Sequence, residues 1–338
     1  MAAGKEGSVS EPLDDAVLRR LITAHLPIDA DRLRFQPIRT GKHNRSFVVH
    51  TDHDDVVLRI APPQKGMLFY ERNMMAQEPA IHALLREKTS IPVAEILAYD
   101  DSHALIDHAY MVMQRLPGRA LCDMPGVSTR FYDRVLVQVG GYLRQMHALT
   151  AQQYGYLGAH HPMEPQATWW EAFRAMWNAL LDDVQQAGGY SAAEADALRQ
   201  LLDAHRQHLD RPVPASLLHM DVWSQNILVD ENGTVTGIVD MDRALWGDPE
   251  IEFAVLDYCD ISRPAFWTGY GHPRAITPAA RIRQQFYLLY EVQKYIVIDL
   301  LRRGNRAGAE RYREQSLRLA RPLTEGSIDG PDRLAPSP

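Results

Sequence analysis

The stretch 217–240, LLHMDVWSQNILVDENGTVTGIVD, restricts the fold of this chain more than any other. Asn232-Gly233 sits between the apolar runs 227–229 and 235–239. An Asn-Gly pair between β-branched runs is a strong hairpin signal. Such a hairpin brings Asn226 and Asp240 to neighbouring ends of two antiparallel strands, an amide oxygen beside a carboxylate. Both are hard oxygen donors, the kind Mg2+ takes when one or two protein groups share it with phosphates and water. Leu217 and Leu218 read as the buried run that leads into the loop bearing His219 and Asp221.

An Asp, an Asn five residues later, then strand, turn and strand ending in a further Asp is how kinase-type enzymes assemble their base and metal ligands. The segment resembles the aminoglycoside phosphotransferase and choline kinase family, relatives of protein kinases, whose catalytic loop commonly reads His-Gly-Asp-x-x-x-x-Asn. Here the run is His219-Met220-Asp221-Val222-Trp223-Ser224-Gln225-Asn226. The family's Ile-x-Asp-x-Glu segment is matched by Ile238-Val239-Asp240-Met241-Asp242, and the Gly-Asp-Pro after it by Gly247-Asp248-Pro249. The resemblance implies that Asp221 takes or orients the proton of an acceptor hydroxyl, and that Asn226 and Asp240 hold Mg2+. Met220 departs from the pattern: Gly adopts φ > 0 freely, whereas Met does so only under strain. The likeness runs over about 35–260 and is strongest over 219–252.

The resemblance implies an α+β, two-lobed protein-kinase-like fold: an N-terminal antiparallel sheet with a helix, and a larger, mainly helical C-terminal lobe. The apolar runs 35–38, 46–50 and 56–60 read as its first three strands, and 91–97 and 109–113 as the last two. The polar loop between the first two contains Gly41, His43 and Asn44; it is not a Walker A, and resembles the family's Gly-x-x-Asn-Arg loop that covers the phosphates. Arg59 stands where protein kinases carry Lys and suits a phosphate clamp, with Lys42 and Lys65 as rival cations. A helix over about 70–86 offers Glu78 as the partner of Arg59, with Glu71 as the alternative. Gln114 to Leu116 match the family's hinge, where backbone groups read the purine edge, so ATP and GTP both remain open as cofactors beside Mg2+.

Beyond Gly118 the pattern turns helical, over 131–147, 169–184, 192–209, 278–303 and 307–319, and Gly140-Gly141 points to a close helix contact. The expected organisation is a mobile N-terminus (1–11), a nucleotide-binding lobe (12–116), a catalytic and acceptor-binding lobe (117–321) and a mobile C-terminus (322–338). Trp246, Tyr258, Trp267 and Tyr270 lie where the family places part of its acceptor cleft, and core packing explains them equally well. Most of the fourteen His residues read as surface or turn residues.

The net charge of -7 argues against a nucleic-acid binder, which clusters Lys and Arg, and leaves room for a cationic acceptor. No apolar run approaches the ~20 residues of a membrane span, and the start MAAGKE lacks the apolar segment of a secretory signal. Two cysteines are too few for a disulfide scaffold, which fits a reducing cytoplasm. The resulting expectation is an Mg2+-dependent small-molecule kinase, monomeric or homodimeric, that phosphorylates a hydroxyl of an antibiotic. Alternatives are a metabolite kinase of the fructosamine, choline or homoserine type, a catalytically silent kinase-like binding protein, and a metal-dependent hydrolase built on His219, Asp221, Asp240 and Asp242.

Overall fold

Short apolar strands alternating with polar turns give way along this chain to long helices, and a computed structural model describes residues 13–39 and 43–326. The first helix, α1 (Asp15–Thr23), is capped by the Asp14 carboxylate, which accepts the Val17 N–H at 2.8 Å. Five strands follow: β1 (Arg34–Ile38), β2 (Arg45–His50), β3 (Val56–Ile60), β4 (Ile96–Asp100) and β5 (Tyr110–Gln114). They pair antiparallel in the order β1-β2-β3-β5-β4. Val56, Leu58 and Ile60 alternate along β3 and pack with Val17, Leu18, Leu21 and Ile22 of α1 in one apolar core. Arg59 therefore leaves the opposite face of the sheet.

The chain divides into two compact units, residues 1–63 with 96–115, and residues 64–95 with 116–338. The sheet and α1 make up the smaller. The helix expected over 70–86 is instead α2 (Glu78–Lys88), preceded by two short 3-10 turns, Phe69–Glu71 and Met74–Gln77. Asn73 between those turns is left-handed at φ 55°, which no continuous helix accommodates. Pro79 falls in the first turn of α2, where its missing N–H costs nothing. Ile81 and Leu85 of α2 pack with Val139, Leu143 and Ile238, so this helix clusters with the larger unit, unlike a linear boundary at residue 116. The strand expected over 91–97 begins only at Ile96, and the Pro92 carbonyl accepts the Ile238 N–H at 2.9 Å.

In the larger unit the helices are α3 (Thr129–His147), α4 (Trp169–Gln186), α5 (Ala192–Ala204), α6 (Arg206–Leu209), α7 (Pro249–Tyr258), α8 (Pro264–Tyr270), α9 (Pro278–Val297) and α10 (Arg306–Glu325). A π-helical turn, Ile298–Arg302, extends α9. The expected helix over 192–209 is broken at His205, and α10 runs past 319 through Pro322 to Glu325, so 322–325 are helical. Residues 1–11 and 327–338 lie outside the described residues. The Gly140 expectation holds: a Cβ there would sit 2.2 Å from the Phe266 carbonyl oxygen, and one on Gly269 only 1.8 Å from that of Val137, so α3 and α8 cross backbone to backbone. No helix among the described residues is long and apolar enough to cross a membrane.

Two small antiparallel sheets complete this unit. One joins β6 (Arg119–Ala120), β9 (Ile227–Val229) and β10 (Val235–Ile238) in the order β10-β9-β6. The other joins β7 (Thr150–Ala151), β8 (Ala215–Leu218) and β11 (Leu245–Gly247) in the order β11-β8-β7. The chain leaves β8, makes the loop 219–226, runs through the β9–β10 hairpin, and comes back through β11 to pair with β8, Leu245 opposite Leu218. Gly233 closes the hairpin at φ 77°, while the Asp230 carboxylate accepts the N–H groups of Asn232 and Thr234.

Candidate active site

The loop after β8 is held from behind by one carboxylate. Glu252 of α7, fully buried, accepts the His219 N–H at 3.1 and 3.2 Å and the Met220 N–H at 2.8 Å. It also accepts from His147 Nε2 at 2.7 Å, and His147 Nδ1 lies 2.7 Å from the Tyr270 hydroxyl. Burial opposes ionisation of Glu252, and the bond from His147 with its charge, together with the Met220 N–H, outweighs it, holding the carboxyl below the usual range. These bonds support Met220 at φ 66°. The strain anticipated for a non-Gly residue at this position is therefore present, at about 1–2 kcal/mol for a left-handed L-residue. It is offset by complete burial of the Met220 side chain in the largest apolar cluster, worth a similar or larger amount.

His219 pins both sides of the loop. Its Nδ1 accepts the Asp221 N–H at 3.2 Å, and its Nε2 lies 3.0 Å from the Val239 carbonyl oxygen, an arrangement served by the tautomer protonated on Nε2. Val239 in turn donates its N–H to the Asn226 carbonyl at 3.0 Å, extending the β9–β10 ladder by one step. Asp240 is the next residue and is itself left-handed, at φ 70°.

The Asp221 carboxylate is held at both oxygens. Asn226 Nδ2 donates to Oδ2 at 3.0 Å and to the Asp221 carbonyl at 2.9 Å, while Arg243 Nη1 donates to Oδ1 at 3.2 Å. Burial pushes the carboxyl up, but Arg243 and Lys294 outweigh it and keep it below the usual carboxylate range. Its side chain retains 27% exposure, against 7% for Arg243. Because Asn226 commits Nδ2 to Asp221, the group it can offer a cation is Oδ1. With Asp240 this gives a mixed amide and carboxylate donor pair that fits Mg2+ sharing its shell with phosphate and water. Among the described residues no cluster of three or more His, Cys, Asp or Glu side chains could hold a metal without such help.

Asn226 bonds Asp221 after β8, and the Val239–Asn226 bond brings the backbone next to Asp240 to the same end of the β9–β10 hairpin. The other sequence-expected residues are distributed over both units. Gly41 lies outside the described residues, whereas His43 and Asn44 lead into β2. Arg59 sits in mid-β3, opposite Ser46 and Met111, and is buried. Gln114 ends β5, and Leu116 opens the return of the chain into the larger unit. Glu78, at the start of α2, is buried with His82 Nε2 at 3.7 Å. Glu71 caps its own turn by accepting the Leu68 N–H at 2.8 Å and pairs with Arg302. Tyr270 and Trp267 pack on Phe253 and Phe266, which favours the core explanation for both.

Sequence reasoning passed over Arg243, Glu252, Glu291, Lys294 and His147. His147, taken as one of many ordinary histidines, is buried. Only Glu252 carries a local signal, an acid within an otherwise apolar run after Gly-Asp-Pro. The others are brought to the loop by packing alone.

The description of the phosphotransferase enzyme family (APH) matches residues 34–284. A probable ketoamine kinase from Vibrio parahaemolyticus is 28% identical over 221 residues, covering 62% of this chain and 69% of that protein. The hygromycin-B 4-O-kinase of Escherichia coli is 26% identical over 226 residues, and the match spans 63% of this chain and 59% of that kinase. A thermostable mutant of aminoglycoside phosphotransferase APH(4)-Ia, solved as a ternary complex with AMP-PNP and hygromycin B, shares the fold with a TM-score of 0.61 at 20% identity, over 85% of this chain and 93% of that one. Catalytic-loop residues, mixed fold and a family match over most of the described chain agree, and the chain belongs to the phosphotransferase enzyme family.

Proposed function

We propose that this protein is an Mg2+-dependent small-molecule kinase that moves the γ-phosphoryl group of ATP or GTP to an acceptor hydroxyl. The acceptor we favour is an antibiotic, aminoglycoside-like or containing a nucleoside or sugar, so that phosphorylation confers resistance. The observation that carries the reading is the fixed Asp221 carboxylate, bonded at both oxygens by Asn226 and Arg243, one strand end away from Asp240.

In this reading Asp221 orients the acceptor hydroxyl and receives its proton as the oxygen–phosphorus bond forms and the bond to the leaving nucleoside diphosphate breaks. Asn226 and Asp240 would hold Mg2+, which when bound neutralises charge on the phosphates. Arg59 would pair an α- or β-phosphate, with Glu78, or alternatively Glu71, as its carboxylate partner. His43, Asn44 and Gly41 would cover the phosphates, and Gln114 to Leu116 would read the purine edge. The strands up to residue 114 serve as the nucleotide-binding lobe and 117–321 as the acceptor lobe. Two cysteines, too few for a disulfide scaffold, suit the cytoplasm.

A metabolite kinase is the second reading, favoured by the likeness to a ketoamine kinase at an identity similar to that of the hygromycin kinase. Added phosphate, ~1.5 to 2 negative charges, blocks recognition of an antibiotic by repulsion and bulk, but would mark a ketoamine for further chemistry. Single-turnover transfer of labelled γ-phosphate to hygromycin B, other aminoglycosides, ketoamines and homoserine, with and without Mg2+, separates the two. Transfer to ketoamines alone would overturn the antibiotic reading, and absence of transfer to any hydroxyl would overturn the kinase itself. Asp221→Ala should lower turnover ~100- to 10,000-fold with nucleotide still bound, and Asp240→Ala should abolish the Mg2+ dependence of nucleotide affinity.

A further inference from the structure

Arg243 reaches Asp221 from the 3-10 turn Met241–Arg243, immediately after Asp240. Its two terminal nitrogens go to different carboxylates: Nη1 to Asp221 Oδ1 at 3.2 Å, and Nη2 to Glu291 Oε2 at 3.2 Å. Glu291, on α9 and 2% exposed, is paired through its other oxygen with Lys294, one helical turn on. The Tyr70 ring lies 5.3 Å from the guanidinium carbon. Two cations and two carboxylates balance, which makes burial of the group tolerable, and removing one member would strand its neighbours. A guanidinium is planar and its fork rigid, so tying one prong to Glu291 sets the direction of the other. Asn226 holds the remaining oxygen of Asp221 from the β9 side. The plane of that carboxylate is thereby determined from two elements, one of them a helix 70 residues away in sequence from Asp221.

We propose that Arg243 is a positioning residue for Asp221, itself aimed by Glu291 and Lys294 of α9, so that turnover depends on this buried relay. The inference rests on the reading of Asp221 as the residue that receives the hydroxyl proton. Lys in place of Arg243 could contact one carboxylate but not both at fixed geometry.

Arg243→Met, Arg243→Lys, Glu291→Gln and Asp221→Asn are compared, each alone and the first three also in the Asp221→Asn background, by single-turnover and steady-state phosphoryl transfer with folding checked by circular dichroism. Arg243→Met should lower kcat about 10- to 100-fold, the usual loss when a supporting hydrogen bond behind a reacting group is removed. KM for acceptor and nucleotide should stay within about threefold, because a positioning group acts on the transition state. Arg243→Lys should recover part of the loss, and Glu291→Gln should lower kcat by a smaller factor, about 3- to 10-fold, on the same principle. In the Asp221→Asn background all three effects should shrink to less than about twofold, since coupled groups are non-additive. A change confined to KM would make Arg243 a substrate contact and overturn the proposal, as would effects undiminished without the Asp221 carboxylate. Should Arg243→Met fail to fold, Glu291→Gln decides, and unchanged kcat in that folded variant overturns the relay. Wild-type turnover in Asp221→Asn would instead remove the underlying reading, a result distinct from failure of the relay.

Discussion

Removing the Glu252 carboxylate should cost more stability than any other single change around the loop. Three buried donors depend on it: the N–H groups of His219 and Met220, and His147 Nε2. Each donor left without an acceptor costs about 1–3 kcal/mol, so Glu252→Ala should destabilise by about 4 kcal/mol after some water enters the space. Glu252→Gln keeps an oxygen for the two backbone N–H groups and presents an NH2 to His147. His147 can accept it on Nε2 if its proton moves to Nδ1 and is donated to the Tyr270 hydroxyl, which lies 2.7 Å away. The remaining loss is that of charge assistance, about 1–2 kcal/mol. Urea unfolding at pH 7, extrapolated linearly to water, reads both numbers. The reasoning is refuted if Ala costs under about 1 kcal/mol, or if Gln costs as much as Ala.

At Met220, an ordinary buried site would place Gly about 1–2 kcal/mol below Ala, from one buried carbon and backbone entropy. The left-handed φ of 66° penalises Ala by a similar amount, so Met220→Gly and Met220→Ala should unfold within about 0.5 kcal/mol of each other. Gly269→Ala should destabilise by at least about 2 kcal/mol because the crossing of α3 and α8 must open, whereas Gly141→Ala, whose Cβ would meet nothing closer than 3.8 Å, should be neutral or mildly stabilising; thermal unfolding of the pair tests this. Burial pushes the Asp183 carboxyl up to about 6 despite the bond it accepts from the Phe69 N–H at 2.7 Å. Its folded pKa lies above the unfolded one, so the proton it binds stabilises the fold at low pH and that contribution is lost as pH rises through about 6. Asp183→Asn should therefore gain roughly 1 kcal/mol relative to the parent between pH 5 and pH 7.5, and an equal difference at both pH values would refute it.

Much of the candidate site was readable before any coordinates because its parts lie close together in sequence. The turn 230–234, with Gly233 left-handed and the Asp230 carboxylate accepting two of its N–H groups, sets a hairpin from a few adjacent residues, and a hairpin leaves little freedom in where Asn226 and Asp240 end. The helices α3 and α4 carry an apolar stripe with a polar back, so their period was visible. In α7 that contrast is missing: 251–256 are consecutively buried, and a helix surrounded by core has no polar face to mark its period. The start of α2 was misread because helix propensity over 70–77 did not reveal the left-handed turn at Asn73. Proline at 92 was a readable warning against an early strand there, since it cannot donate to a ladder.

The amino-acid sequence on its own determined the catalytic-loop pattern, the hairpin that joins the two metal-donor candidates, and the phosphotransferase family, because turns, strand alternation and motif spacing are properties of a few adjacent residues. The tertiary structure alone decided that Glu252 and His147 brace the strained Met220, that Arg243 grips Asp221, and that Glu291 and Lys294 stand behind Arg243. Apart from Glu291 with Lys294, one helical turn on, those pairings join residues 22 to 105 positions apart, and what selects them is the requirement that every buried charge find a partner once the helices have packed.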